Sequence, residues 1–313
     1  MPPLVTVIIT VFKRIEFLPQ AINSVLAQTF DSYEILVTDD ANNPSTRSIC
    51  ESLNKTGKIR YRSNSERLGV ALNLRAAILE AQGKYLAILN DDDFWKPDFL
   101  KDLVEPLEKD SRRVLAFSDH WIIREDSKID REKTQINTKA FRRDVLSEGE
   151  LNNTVELALN KTIPLCQACI FRKEALNVDL LDCNVAGAYD FWISCLLAAT
   201  GRPFFYKAKR LSLYRIHFQM ETYRITPNKF QPEVFIFRTL LENNYFPEWK
   251  RFLQQKLGRM LFRHGKAQLV SNFLKEARIL FIQSMYFSPH WKPVVGLFAS
   301  YLPGKARYLL IQN

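Results

Sequence analysis

The stretch Gly83-Lys-Tyr-Leu-Ala-Ile-Leu-Asn90, running directly into Asp91-Asp92-Asp93-Phe94-Trp95-Lys96-Pro97, decides the fold class. Its apolar run has the length of a strand and no polar alternation, so it reads as a strand buried on both faces. Carboxylates close it, and Pro97 opens a helical pattern reaching about Lys109. Toward the N-terminus, Glu34-Ile-Leu-Val-Thr-Asp-Asp40 repeats the design, an apolar run closed by Asp39 and Asp40. Val5 to Thr10 is another such run, rich in β-branched residues. Helical spacing separates these runs. Leu18, Ala21, Ile22, Val25 and Leu26 form one segment, and Leu68 to Ala81 another, with Gly83 as its stop. Lys58 to Arg62 and Val114 to Ser118 are shorter strands. The alternation predicts an α/β fold, a mostly parallel sheet flanked by helices. Ligands of such sheets bind beyond the carboxyl ends of the strands, and the polar clusters lie at those ends.

Farther out the pattern changes. Residues 125–163 are polar and read as loop with short helices. Val185 to Thr200 reads as a helix, Phe204 to Ile216 as a strand, and the chain beyond about Thr226 as all helical. A length of 313 residues suits one large α/β domain over 1–220 with a helical extension over 221–313. Hydrophobic residues at 47% and charged residues at 25% exclude a disordered, collagenous or coiled-coil chain. Five cysteines form no disulfide framework and fit a reducing cytoplasm. Cys166-Gln-Ala-Cys169 lacks the second pair that a structural zinc needs and reads as buried free thiols. No signal peptide or spanning run is visible.

The net charge of +10 is uneven. From Glu248 onward eleven Lys and Arg face two Glu, so that segment carries +9. A basic tail on a near-neutral body points to an anionic partner for the tail, a membrane surface or a nucleic acid. No nucleic-acid recognition module accompanies it, so no nucleic-acid partner is expected. There is no G-x-G-x-x-G after the first strand, no P-loop and no H-E-x-x-H, which removes most weight from nicotinamide and ATP-hydrolase readings.

Three successive carboxylates at Asp91 to Asp93 crowd unless a cation neutralises them. A magnesium-type ion takes one or two carboxylates plus substrate phosphates, which makes a metal–diphosphate site one reading. An acidic loop capping the following helix is the other.

The ensemble of motifs resembles the bacterial nucleotide-sugar glycosyltransferases of family 2, with the Rossmann-like GT-A fold. It comprises Val5-Thr-Val-Ile-Ile-Thr-Val-Phe-Lys-Arg14, Ala27-Gln-Thr-Phe30, Glu34 to Asp40, Arg67-Leu-Gly-Val-Ala-Leu-Asn73, Gly83 to Asp93 and Tyr214-Arg-Ile-His217, in that order over about residues 3–220. The resemblance implies an inverting, Mn2+- or Mg2+-dependent transfer of a sugar from a nucleoside diphosphate sugar. The acceptor would be a glycan or lipid-linked glycan in surface polysaccharide synthesis. Thr10 and Phe12 match the loop that wraps the nucleoside, with Phe12 in place of the usual tyrosine. Asp40 matches the carboxylate that accepts the N–H of uracil or thymine, and Asp39 is placed to orient that loop. Arg67 matches a basic position facing the nucleotide. Asp92 matches the last carboxylate of a metal-binding Asp-x-Asp whose first position is Asn90 here. Asp91 is placed at the nucleotide, and Asp91 or Asp93 can replace the missing charge. His217 matches a metal ligand or diphosphate contact. Gly187 and Ala188 stand where the family carries its acidic base, which leaves Asp190 as the catalytic base and Asp182 in reserve. Asn90 and the missing acidic pair also motivate an alternative, a non-catalytic relative that binds nucleotide sugar or a partner glycosyltransferase.

In the extension, Gly265, Ala277, Phe281, Ser284 and Pro289 approximate part of a tetratricopeptide repeat. A single copy predicts a helical hairpin packed on the catalytic domain rather than a solenoid. Trp291 to Ile311 mixes apolar and basic residues. One expectation is peripheral attachment to an anionic inner membrane face through Lys292, Lys305 and Arg307. A core-facing helix with a solvated basic face is the other.

Overall fold

The computed structural model describes residues 2–217 and 226–303. Along the sequence the chain divides between His217 and Phe218 into two compact units. The expected boundary at 220/221 falls in 218–225, and Lys305 and Arg307 fall in 304–313; both segments lie outside the described residues.

The first unit begins β1 (Val5–Val11), α1 (Leu18–Leu26), β2 (Tyr33–Asp39), α2 (Pro44–Leu53), β3 (Ile59–Ser63), α3 (Val70–Glu80) and β4 (Tyr85–Asn90). It continues through β5 (Phe94–Trp95), α4 (Phe99–Lys109), β6 (Leu115–Ile123), α5 (Arg131–Ala140), β7 (Gly149–Leu151) and α6 (Thr154–Leu159). α7 (Leu165–Ala168), β8 (Cys169–Arg172), α8 (Tyr189–Ala198) and β9 (Phe204–Arg215) complete it. The sheet runs β3-β2-β1-β4-β8-β6-β9-β5, with β7 paired to β9. β3, β2, β1 and β4 are parallel, and so are β6 and β9. β8 lies antiparallel between β4 and β6.

The chain leaves β1 for β2 and β3, then returns through α3 to place β4 on the other side of β1. Strand order therefore reverses between β1 and β4, and the crevice at such a switch point is where open α/β sheets bind ligands. Burial explains why β1, β2 and β4 read as uninterrupted apolar runs. Val7, Ile9, Ile35, Val37, Ala87 and Leu89 share one core with Leu18, Ala21, Ile22 and Val25 of α1.

Gly83 has a different reason from the one expected. α3 ends at Glu80, before it. A Cβ on Gly83 would stand 2.3 Å from the Thr6 amide nitrogen, so the residue is fixed by close approach of β1 and the chain entering β4. The helix expected from Val185 begins instead at Tyr189. The Asp182 carboxylate accepts the Asn184 amide at 2.7 Å and starts a short 3-10 segment, and Ala186, at φ 35° and ψ −124°, breaks it from α8. The segment expected to hold loop and short helices contains α5 and α6, and also the short strand β7, which was not expected.

The second unit comprises α9 (Gln231–Glu242), α10 (Lys250–Val270), α11 (Leu274–Phe287) and α12 (Trp291–Ala299). α10 and α11 form a hairpin. Ala277 and Ser284 are fully buried, Ser284 Oγ donates to the Gly258 carbonyl at 2.7 Å, and a Cβ on Gly265 would stand 2.8 Å from the Phe281 ring.

Candidate active site

Register brings the polar strand ends together. Thr10 pairs with Thr38 of β2 on one side and Asn90 of β4 on the other. The loops after β1, β2 and β4 therefore lie side by side at the carboxyl end of the sheet.

Asp39 is fully buried, and its carboxylate accepts from the Ala41 amide (2.8 Å), the Asn43 amide (2.7 Å) and the Tyr61 hydroxyl (3.0 Å). It fixes the loop after β2. Asp40 accepts from the Leu68 amide (2.8 Å), the Gly69 amide (2.9 Å) and Asn64 Nδ2 (2.9 Å). Those bonds hold the loop before α3, which turns at Gly69 with φ +83°. A carboxylate has about four acceptor positions, so one remains for a ligand. The tethered loop carries Arg67, whose guanidinium lies 4.4 Å from the centroid of the Phe12 ring. Thr10 and Phe12 are half-buried and Arg67 is exposed, so both sides of this ring–cation pair reach solvent.

The three carboxylates after β4 point in two directions. Asp93 Oδ1 accepts the Arg215 amide at 2.9 Å, and its Oδ2 lies 3.3 Å from Asn90 Nδ2. Burial, reinforced by Asp92, pushes the Asp93 carboxyl well above the usual range. Asp93 therefore ties the loop to β9 and is not turned toward a ligand. The fully buried Arg215 completes the clamp. It donates to the Asp92 carbonyl (2.9 Å), the Glu125 carbonyl (2.8 Å) and Gln20 Oε1 (2.7 Å), over the Phe17 ring.

Asp91 and Asp92 face Arg14 instead. Arg14 Nη2 stands 3.1 Å from Asp92 Oδ2 and 3.6 Å from Asp91 Oδ1. Arg14 Nη1 lies 2.7 Å from His217 Nε2, which is itself 3.1 Å from Asp92 Oδ2. Burial, then the Asp92 charge, pushes the Asp91 carboxyl up to about 8 against the pull of Arg14. The Arg14 guanidinium thus offsets only part of what burial and adjacency cost the two carboxyl groups. Among the described residues, no three His, Cys, Asp or Glu side chains gather into a metal cluster. Asp92 Oδ2 and His217 Nε2 converge as two ligands of a magnesium- or manganese-type ion completed by diphosphate oxygens would, but Arg14 faces both atoms and would have to turn aside for an ion to bind there.

Asp190 sits in the first turn of α8, with its Oδ1 accepting the Phe191 amide at 2.7 Å. The buried Cys166 thiol lies 3.3 Å from the Tyr189 hydroxyl. Burial pushes both groups up, and Asp190 adds to each; Cys166 also feels Asp93, and Tyr189 feels Asp92. The thiol and hydroxyl thus lie within electrostatic reach of both Asp190 and the carboxylate loop.

Arg14, Arg215 and Asn64 carry no role in the sequence reading. Arg215 was findable: Leu211, Leu213 and Arg215 share one face of β9, and that face is buried. Arg14 left only a weaker trace, a basic residue two positions after Phe12.

The family model for glycosyl transferase family 2 matches residues 6–178, from the start of β1 to just past β8. The chain belongs to glycosyl transferase family 2. Among curated relatives, an uncharacterized glycosyltransferase of Haemophilus influenzae is 28% identical over 225 residues, 69% of this chain and 66% of that protein. The putative teichuronic acid biosynthesis glycosyltransferase TuaG of Bacillus subtilis is 33% identical over 117 residues, 37% of this chain and 45% of that protein. The matches span less than two thirds of these relatives' lengths. S. aureus TarS 1–349 in complex with UDP-GlcNAc superposes with a TM-score of 0.67 at 13% identity, covering 96% of this chain and 90% of that one. The mannosyltransferase PcManGT from Pyrobaculum calidifontis, in complex with GDP-Man and Mn2+, gives 0.59 at 16%, covering 99% and 84%. At such identities the likeness is one of fold, and that fold is the GT-A fold. The family match contains Thr10, Phe12, Asp39, Asp40, Arg67, Asp91 and Asp92, and ends before Asp190 and His217. No helix among the described residues is long and apolar enough to cross a membrane.

Proposed function

We propose that this family 2 member transfers a sugar, with inversion, from a uridine or thymidine diphosphate sugar to a hydroxyl of a glycan or lipid-linked glycan. The observation that carries the reading is the meeting of Asp91, Asp92, Arg14 and His217 beside the Phe12–Arg67 pair, at the switch point between β1 and β4. The Phe12–Arg67 pair would lie beside the base, and the spare acceptor position of Asp40 would take a pyrimidine N–H. Arg14 carries positive charge to the region where a diphosphate would lie. Asp92 and His217 would hold Mn2+ or Mg2+, which when bound supplies positive charge for the departing diphosphate.

The step is a single displacement. The acceptor oxygen forms its bond to the anomeric carbon as the bond from that carbon to the diphosphate oxygen breaks. The hydroxyl proton passes to Asp190, and the nucleoside diphosphate leaves. We place the enzyme in the cytoplasm, attached peripherally to the inner face of the membrane, in surface polysaccharide synthesis.

The test is a thermal-shift screen of nucleoside diphosphate sugars with and without Mn2+. A bound donor stabilises the native state by mass action, so one uridine or thymidine donor should raise the melting temperature only in the presence of metal. No shift with any donor would overturn the reading. A shift without hydrolysis or transfer would favour the nucleotide-sugar-binding alternative that Asn90 motivates.

A further inference from the structure

We propose that the outer face of α11 and α12 docks on an anionic lipid surface. α12 is packed inside out. Pro293, Gly296 and Ala299 are its buried side, and a Cβ on Gly296 would come within 2.7 Å of the Phe281 ring of α11. The large apolar side chains turn outward: Trp291 is 66% exposed, Val294 52% and Phe298 65%. On α11, Ile279, Ile282 and Tyr286 follow at spacings of three and four and are 56%, 54% and 82% exposed. That spacing keeps them on one helix face. Single exposed apolar residues are ordinary, whereas apolar faces on two successive helices mark an interaction site.

The face is held rigid. Arg278 of α11 donates to Ser300 Oγ and to the Ser300 carbonyl, both at 3.0 Å, and its guanidinium lies 3.8 Å from the Tyr301 ring centroid. The end of α12 is thereby pinned to α11.

Charge identifies the occupant. Lys275 lies one turn before Ile279 on the same face of α11 and is exposed. Lys292 is exposed beside Trp291. Arg259 of α10 is exposed and close enough to His290 to help Lys292 and burial lower its pKa. Aromatic and aliphatic side chains rimmed by lysine and arginine make an interfacial surface, with rings at headgroup depth and cations at the phosphates. The use of such docking rests on the proposed lipid-linked acceptor; the docking itself does not.

The experiment is co-sedimentation of the full chain with phosphatidylcholine vesicles, with and without phosphatidylglycerol. Donor-induced thermal shift is recorded on every variant. Wild type should partition onto the anionic vesicles alone, and less so at high salt. Trp291→Ser with Phe298→Ser, and separately Lys275→Glu with Lys292→Glu, should each cut partitioning by about tenfold or more. Val145→Ser, at a position 69% exposed in the first unit, should leave it unchanged. Wild type that stays in the supernatant, binds both vesicle types equally or survives both double substitutions overturns the proposal. So does sedimentation equilibrium showing that Trp291→Ser with Phe298→Ser dissolves a dimer while vesicle binding stays. Loss of the donor response with vesicle binding intact counts against the transferase reading, not against this surface.

Discussion

Asp92 and Asp93 are neighbours in the chain with opposite surroundings. Asp92 Oδ2 meets Arg14 and His217, while Asp93 caps the Arg215 amide. Asp92→Ala should therefore abolish the Mn2+ dependence of donor binding, read by calorimetry, with a modest change in melting temperature. Asp93→Ala should retain the metal dependence and lose about 1–3 kcal/mol of stability, because a buried amide is left unpaired. Equal metal dependence in wild type and Asp92→Ala would remove Asp92 from the site. Asp190→Asn preserves an acceptor for the Phe191 amide but cannot take a proton at neutral pH. Donor affinity and melting temperature should hold while the transfer rate falls ~10²–10⁴-fold. Near-wild-type turnover would move the base elsewhere. At this scale the sequence located the carboxylates but not their directions. The side-chain alternation of a strand stops at Asn90, and the turns of a loop decide which of three successive carboxylates faces the crevice. Asp40 shows the same limit: three of its acceptor positions are filled by the Asn64 to Gly69 loop, a long-range pairing that no local pattern announces.

Gly83 sits where β1, β2 and the chain entering β4 converge. The Thr6 hydroxyl accepts the Gly83 amide at 2.8 Å and donates to Glu34 Oε1 at 2.6 Å, so three sheet segments join where no Cβ fits. Gly83→Ala should cost about 1–3 kcal/mol through overpacking, visible as a lower urea midpoint with unchanged slope. A neutral result would mean that β1 and the turn before β4 can separate. The parallel strands were legible because both of their faces are buried, which yields unbroken apolar runs. β8 was not. It spans only Cys169–Arg172, beside a Cys-x-x-Cys spacing that draws attention to metal chemistry, and short strands have no period to read. The start of α8 was missed because the break is a single left-handed residue, Ala186, in a sequence of ordinary helical propensity.

For the molecule as a whole, acid sensitivity should trace to His120. Its ring is buried, and burial, then Arg143, pulls its pKa down to about 3. Asp119 and the Asn137 side chain act in the opposite sense, and Arg210 adds to Arg143. An unfolded histidine titrates near ~6.5, so below that pH the unfolded chain binds a proton that the native one refuses. Stability is therefore full above about pH 6.5 and falls as pH drops toward 3. Urea midpoints measured across that window should decline in wild type and flatten in His120→Leu. An unchanged decline would assign it to other groups. The helical character of the chain beyond about Thr226 was legible from its periodicity, and α9 to α12 follow there. The inside-out α12 was not: its small buried side and its large exposed side are both apolar, so hydrophobic pattern alone does not choose between them.

The ion pairs of Arg14 also bear on how the protein behaves when stripped. A carboxylate pair that depends on a divalent ion should loosen in a chelator, since like charges then repel without compensation. Here the counter-charge is part of the chain. Donor-free wild type should consequently melt at the same temperature in EDTA as in Mn2+. Arg14→Ala should melt earlier in EDTA and recover when Mn2+ is returned. A wild-type protein sensitised by chelation would instead make the ion a structural requirement. Insensitivity would describe a glycosyltransferase that waits through metal scarcity with its site intact.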